Sequence, residues 1–224
     1  DNKRAEGGDK KMPEGAYDQR LEVTLGDEHD EAMNAIRNAR AAICGINAAI
    51  LDQRKSSQPT NWRTDLPQML GVSTWVGYDL DGRSDISWAD SFRLRLAEKA
   101  EALSIYLADL SASNIAAAQP IIDKLQAEHT ATLGDIQRFG KLGGNGDNFA
   151  ATANALTERK NKLVSSHALG DELHDIARGV EDDDDARRLL VIAADIKTHG
   201  FGMAEVHLRI NAVQSVSYTH LRAH

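Results

Sequence analysis

The sequence predicts a mainly α-helical chain enclosing two short strands, and three observations carry that prediction. Apolar residues recur at three- and four-residue steps over most of residues 27–199. Two stretches, Val72–Tyr78 and Gly200–Ile210, switch to β-branched, aromatic or alternating character. The breaks between periodic segments are rich in Gly, Pro, Ser and Asn.

Residues 1–26 mix charge with Gly and Pro, without a sustained period, and read as a flexible lead-in with a short extended piece at Leu21–Leu25. A helix follows from Asp27 to Arg54, with Met33, Ile36, Ile43, Ile46, Ile50 and Leu51 on its apolar stripe. Asp27, Glu28, Asp30 and Glu31 suit its positive N-terminal end, and residues 55–61 break it. Val72–Tyr78 runs as a strand into the turn Asp79-Leu-Asp-Gly82. From Trp88 the helical period returns through Phe92, Leu96, Ala100, Leu103, Leu107 and Leu110.

Asn114 is a good N-cap for a further helix burying Ala118, Ile121, Ile122, Leu125, Leu133 and Ile136. Residues 140–148, with four glycines, form a loop. Helix resumes through Phe149, Leu156 and Leu163 to Ile176, with an interruption expected near Gly170. The acidic run Glu181–Asp185 is a solvated entrance to a helix over Ala186–His199. In the last strand Val206, Leu208 and Ile210 alternate with Glu205, His207 and Arg209. Ser215–His224 continues no element and resembles a translated sequencing adapter. It reads as a non-native tail, so His220 and His224 are discounted as metal ligands.

Of 224 residues, 26 are Lys or Arg and 34 Asp or Glu, a net charge of −8 that argues against a general nucleic-acid binder. No apolar run approaches the roughly 18 residues of a membrane span. One cysteine, Cys44, forbids an internal disulfide and suits a reducing, cytoplasmic setting. The chain opens at Asp1 rather than Met, which favours a piece of something larger.

Asp79-Leu80-Asp81-Gly82 concentrates the chemistry. Two acids at a strand-to-turn junction can face one cavity, and Gly82 lets the backbone approach a ligand. A calcium loop of EF-hand type fails, because Gly82 comes too early and no Glu closes the loop. A haloacid-dehalogenase-like phosphatase also has Asp-x-Asp-Gly after a strand, and Asp182–Asp185 could supply its second acidic pair. Against it, Arg83 stands where Thr or Val is expected, and the acidic run follows helix. The plain alternative is that the acids cap a turn. Trp62, Trp75 and Trp88 read as packing residues, Cys44 as a buried structural thiol, and His129, His167 and His174 as surface or satisfied groups.

The wider context resembles the phosphoenolpyruvate carboxylase family. Ser73-Thr-Trp-Val-Gly-Tyr-Asp-Leu-Asp-Gly-Arg83 is similar to its motif Ser-Trp-Met-Gly-Gly-Asp-Arg-Asp-Gly-Asn-Pro, with matches at Trp75, Gly77, Asp79, Asp81 and Gly82. About 120 residues later, the segment from His199 to Arg209 resembles Phe-Gly-x(5)-Leu-Asp-Ile-Arg-Gln, with matches at Phe201, Gly202 and Arg209. The helix carrying Asp30-Glu-Ala32 stands where the family has an Asp-Glu-Ala helix.

The resemblance covers residues 27–214 and implies a partial, incomplete α/β (TIM-like) barrel with a few short parallel strands, elaborated with long helices. It implies an enzyme that carboxylates phosphoenolpyruvate with bicarbonate to oxaloacetate and phosphate, using Mg²⁺ or Mn²⁺ in a cytoplasmic homotetramer. Arg209 then matches the Arg that contacts the substrate phosphate, where a guanidinium fork neutralises charge. Asp79, Asp81 and Gly82 organise the pocket floor, and His207 replaces a family Asp and could line the pocket. Leu80 replaces an Arg, Tyr78 a Gly, Arg83 an Asn and Ser84 a Pro, so Arg83 is a candidate to restore the charge that Leu80 removes. The family's Thr-Ala-His-Pro-Thr-Glu motif is absent. Its metal carboxylates and Gly-Arg-Gly-Gly loop would lie beyond Gln214. The isolated chain is therefore expected to be inactive, because groups that act together fail together. The remaining alternative is a non-catalytic helical interaction module.

Overall fold

Thr24 sets where the first helix begins. In the computed structural model, which describes residues 23–140 and 151–210 except 82, 84, 152, 153 and 161, its hydroxyl accepts from the Asp27 N–H at 3.2 Å. The Asp27 carboxylate returns to the Thr24 N–H at 3.0 Å, a reciprocal cap that satisfies two orphan donors. Helix α1 therefore spans Leu25–Ser57, and the expected extended piece does not reach Leu25. Residues 1–22 of the expected lead-in lie outside the described residues. At the other end, the Ser56 and Ser57 hydroxyls donate back to the Asp52 and Gln53 carbonyls and carry the helix beyond Arg54.

The same device starts α2, Trp88–Ser113, from Ser87 and Asp90. Asn114 ends this helix rather than starting the next. It sits in the left-handed region at φ 54°, ψ 29°, a C-terminal role that Asn fills better than most side chains. A 3-10 turn, Ala116–Ala118, then leads into α3, Gln119–Gly140. Ala118, Ile121 and Leu125 are buried as expected, but Leu133 is exposed, and Glu128, Thr132 and Asp135 take the buried face instead. The expected Gly-rich loop falls at 141–148, outside the described residues.

After a helical stretch at 154–158, the described residues 159, 160 and 162–165 are non-helical, and Gly170 interrupts nothing. Gly170 lies within α4, Ser166–Gly179, where a Cβ would stand 2.3 Å from Lys197 Cγ and 3.3 Å from the Ala193 carbonyl oxygen. It serves close approach between helices rather than a break. Helix α5, Asp183–His199, begins three residues earlier than expected, because Asp182 caps it by accepting from the Asp184 and Asp185 N–H groups at 2.9 Å. With residues 180–182 as the link, α4 and α5 form a helical hairpin.

Leu51 of α1, Leu103, Tyr106 and Leu110 of α2, Ile121 and Leu125 of α3, Leu173 of α4, and Leu189, Leu190 and Ile196 of α5 form one core. Against it lies a two-stranded parallel sheet, β1 (Ser73–Thr74) and β2 (Glu205–Val206). The two strands pair with each other across the helical crossover. Among the described residues there is no barrel, and the strands are shorter than expected because Trp75–Tyr78 turns out of the ladder. The alternation over 206–210 does not translate into burial either, since Leu208 and Ile210 are both exposed. Trp62 is buried, whereas Trp75 and Trp88 are exposed, contrary to the packing role expected of all three.

Candidate functional site

The two segments that carry the motifs meet at one end of the sheet. The Val72 carbonyl accepts from the Glu205 N–H and the Thr74 carbonyl from the His207 N–H, each at 2.9 Å. Further along, the Arg209 N–H donates to the Tyr78 carbonyl at 3.0 Å and the Leu80 N–H to the Arg209 carbonyl at 2.8 Å. Ser73 faces Glu205, but Asp79 faces Arg209, so the offset falls from 132 to 130 and two extra residues loop out of the first strand. Gly77 makes this loop possible. Its φ is +84°, and a Cβ would stand 2.2 Å from Leu94 Cδ1. The Ser91 hydroxyl donates to the Gly77 carbonyl at 2.6 Å and pins the loop to α2.

The bulge brings two side chains from 130 positions apart into contact. Arg209 Nη1 donates to Asp79 Oδ2 at 3.0 Å. Arg209 Nε and Nη2 have no protein acceptor among the described residues, and the side chain is 58% exposed. A guanidinium held at one corner by a carboxylate, with its other donors facing water, can take up an anion. Asp79 Oδ1 is buried and without a hydrogen-bond partner among the described residues.

The other expected site residues are distributed differently. Arg83 is engaged on both sides: Nη1 donates to Glu28 Oε2 at 2.8 Å, while Nε and Nη2 grip Asp85 at 3.0 and 2.6 Å. These hydrogen bonds, Asp85 first, hold its guanidinium well above the usual value and keep it charged. Asp81 and His207 are exposed, with His207 anchored through its backbone alone, and Gly82 lies outside the described residues. Asp79, Arg83, Glu28, Glu31 and Trp75 line a cleft of about 370 Å³.

No grouping of three or more His, Cys, Asp or Glu among the described residues would hold a metal ion, and Asp79 is committed to Arg209. The side chains described here therefore do not fit Mg²⁺ or Mn²⁺. The acidic pair required by the phosphatase alternative is used structurally: Asp182 caps α5, and Asp183 pairs with Lys55 and Arg63. Cys44 is half-buried, and burial pushes its thiol up to about 12, so it is protonated and unreactive.

Sequence reasoning missed the buried polar groups behind the site. Glu98, in the middle of α2, is completely buried and meets His29, Tyr78 and Arg95. Arg40, Asp195, His199 and Tyr106 form a second buried network linking α1, α2 and α5. Local patterns show neither, because a charge reads as exposed until its distant partner is known. No helix of the described residues is long and apolar enough to cross a membrane. Comparison of the chain with protein-family models, with curated proteins and with solved structures finds no match.

Proposed function

We propose that the chain is an internal piece of a phosphoenolpyruvate carboxylase-like enzyme, which joins bicarbonate to phosphoenolpyruvate to give oxaloacetate and phosphate. In this reading Arg209 contacts the substrate phosphate. The observation that carries it is the pairing of Asp79 with Arg209. The two motif segments lie far apart in the chain, yet their ends meet at one point, with one guanidinium offered to solvent.

Asp79 fixes the direction of the Arg209 fork and leaves its Nε–Nη2 edge turned to solvent, a planar pair of donors that phosphate oxygens match. Exposed Trp75, Leu208 and Ile210 beside the sheet are apolar surfaces of the kind that further barrel strands would cover. The family's cytoplasmic setting, homotetramer and Mg²⁺ or Mn²⁺ belong to this same proposal, with the metal held by residues outside those described.

Phosphoenolpyruvate titrated into the isotope-labelled chain tests the role of Arg209. Saturable shifts of the Arg209 Nε–H and the Leu80 amide, with the Leu80 shift abolished in Arg209→Gln, are the expected result. Shifts that leave both signals still, or that survive Arg209→Gln, contradict it.

A further inference from the structure

A single carboxylate ties together the two approaches to the Asp79–Arg209 contact. Glu98 is completely buried, and each of its oxygens is used. Oε1 accepts from the Tyr78 hydroxyl at 2.9 Å and from His29 Nε2 at 3.2 Å; Oε2 accepts from Arg95 Nη1 at 3.1 Å. Tyr78 immediately precedes Asp79, and its carbonyl receives the Arg209 N–H. Burial and the nearby carboxylate push the Tyr78 hydroxyl well above its usual range, so it stays a donor.

On the opposite side, Arg95 lies over the segment that leads into β2. Its Nη1 reaches the Ala204 carbonyl at 3.4 Å, and a Cβ on Gly202 would stand 2.1 Å from that same nitrogen. Gly202 is therefore small because the guanidinium occupies the space a side chain would take. His29 adds the third connection, to α1 one residue after Glu28, which holds Arg83.

We infer that Glu98 is the positioning residue of the site: it holds Tyr78 directly and the Gly202–Ala204 segment through Arg95, and thereby sets how Asp79 meets Arg209. A fully buried charge is costly unless donors surround it, and here the donors come from the segments that must be aligned. The inference holds whatever ligand Arg209 meets, so it does not depend on the phosphoenolpyruvate reading.

Amide hydrogen exchange on Glu98→Gln and Tyr78→Phe tests it, with the Leu80 and Arg209 amides as reporters and the buried Leu173 amide of α4 as the measure of global opening. Losing one of these charge-assisted bonds is expected to speed exchange at Leu80 and Arg209 by about tenfold more than at Leu173. The Arg209 guanidinium signal should broaden or move in both variants. Equal acceleration at all three amides, or none, overturns the inference by reducing Glu98 to general packing. If Glu98→Gln fails to fold, Tyr78→Phe, which removes a single hydroxyl, decides the matter alone. Absence of phosphoenolpyruvate binding in the unaltered chain would refute the functional proposal without touching this result.

Discussion

Replacing Asp195 with Ala is expected to lower the unfolding free energy by about 3–5 kcal/mol, the loss typical when one partner of a buried ion pair is removed. Arg40 is 3% exposed, and its Nη2 donates to Asp195 Oδ2 at 2.5 Å and to the Tyr106 hydroxyl at 3.0 Å. Its Nε already lacks a partner, so little else can take up the charge once the carboxylate is gone. His199 is stranded at the same time. Its Nε2 accepts from the Val72 N–H at 3.3 Å, which leaves the proton on Nδ1 to be donated to Asp195 Oδ1 at 2.7 Å.

The damage should reach the site, because these groups hold both strand approaches. Tyr106 donates to the Gly200 carbonyl at 2.7 Å, and Arg40 reaches the Gly202 carbonyl at 3.4 Å. Urea unfolding followed by circular dichroism measures the effect. A loss below about 1 kcal/mol, the scale of an exposed pair, would show that the network is not stabilising. The double change Arg40→Met with Asp195→Leu should recover much of the loss, since neither ion is then left uncompensated. Burial tends to raise the Asp195 carboxyl, but the His199 hydrogen bond and the Arg40 charge hold it below its usual value. Its stabilisation is thus complete above the unfolded carboxylate value and disappears as pH falls through the lower, folded one.

The second large effect is expected in acid at Glu128. This carboxylate is 2% exposed and receives Lys99 Nζ at 2.6 Å, Arg159 Nη2 at 2.7 Å and Nη1 at 3.0 Å, and the Leu163 N–H at 3.0 Å. Burial would raise its pKa, but these donors, Arg159 foremost, outweigh burial and bring it from 4.5 down to about 2. Because the folded value is depressed, the stabilisation is fully present above the unfolded value. It is lost as pH falls from about 5 to 2, a change of about 2–3 kcal/mol. The urea midpoint of the unaltered chain should fall steeply across that window, and Glu128→Gln should start lower and fall less. Parallel pH profiles for the two proteins would contradict this assignment.

Much of the helical frame was legible because it is written locally. Stripes such as Leu103, Leu107 and Leu110 need no knowledge of the rest of the chain, whereas the reciprocal caps at Thr24 and Ser87 were not read. Asn114 shows the limit: the same side chain suits either end of a helix, and its left-handed backbone, not its identity, decides. Leu133 and Trp75 were misplaced for a related reason, since periodicity assigns a face but not what covers it. The buried ions were illegible altogether. Glu98, Glu128, Arg40 and Asp195 lie inside only because a partner arrives from another helix or loop. At the site, the motif order pointed to Asp79 and Arg209, but the two-residue bulge that brings them face to face depends on Gly77 packing against Leu94.

The DNA on either side of this coding segment offers the most direct measurement of the functional account. A continuous reading frame, with Thr-Ala-His-Pro-Thr-Glu upstream and a Gly-Arg-Gly-Gly loop with acidic metal ligands downstream, is the expected result. A frame that closes on both sides without those motifs would contradict it.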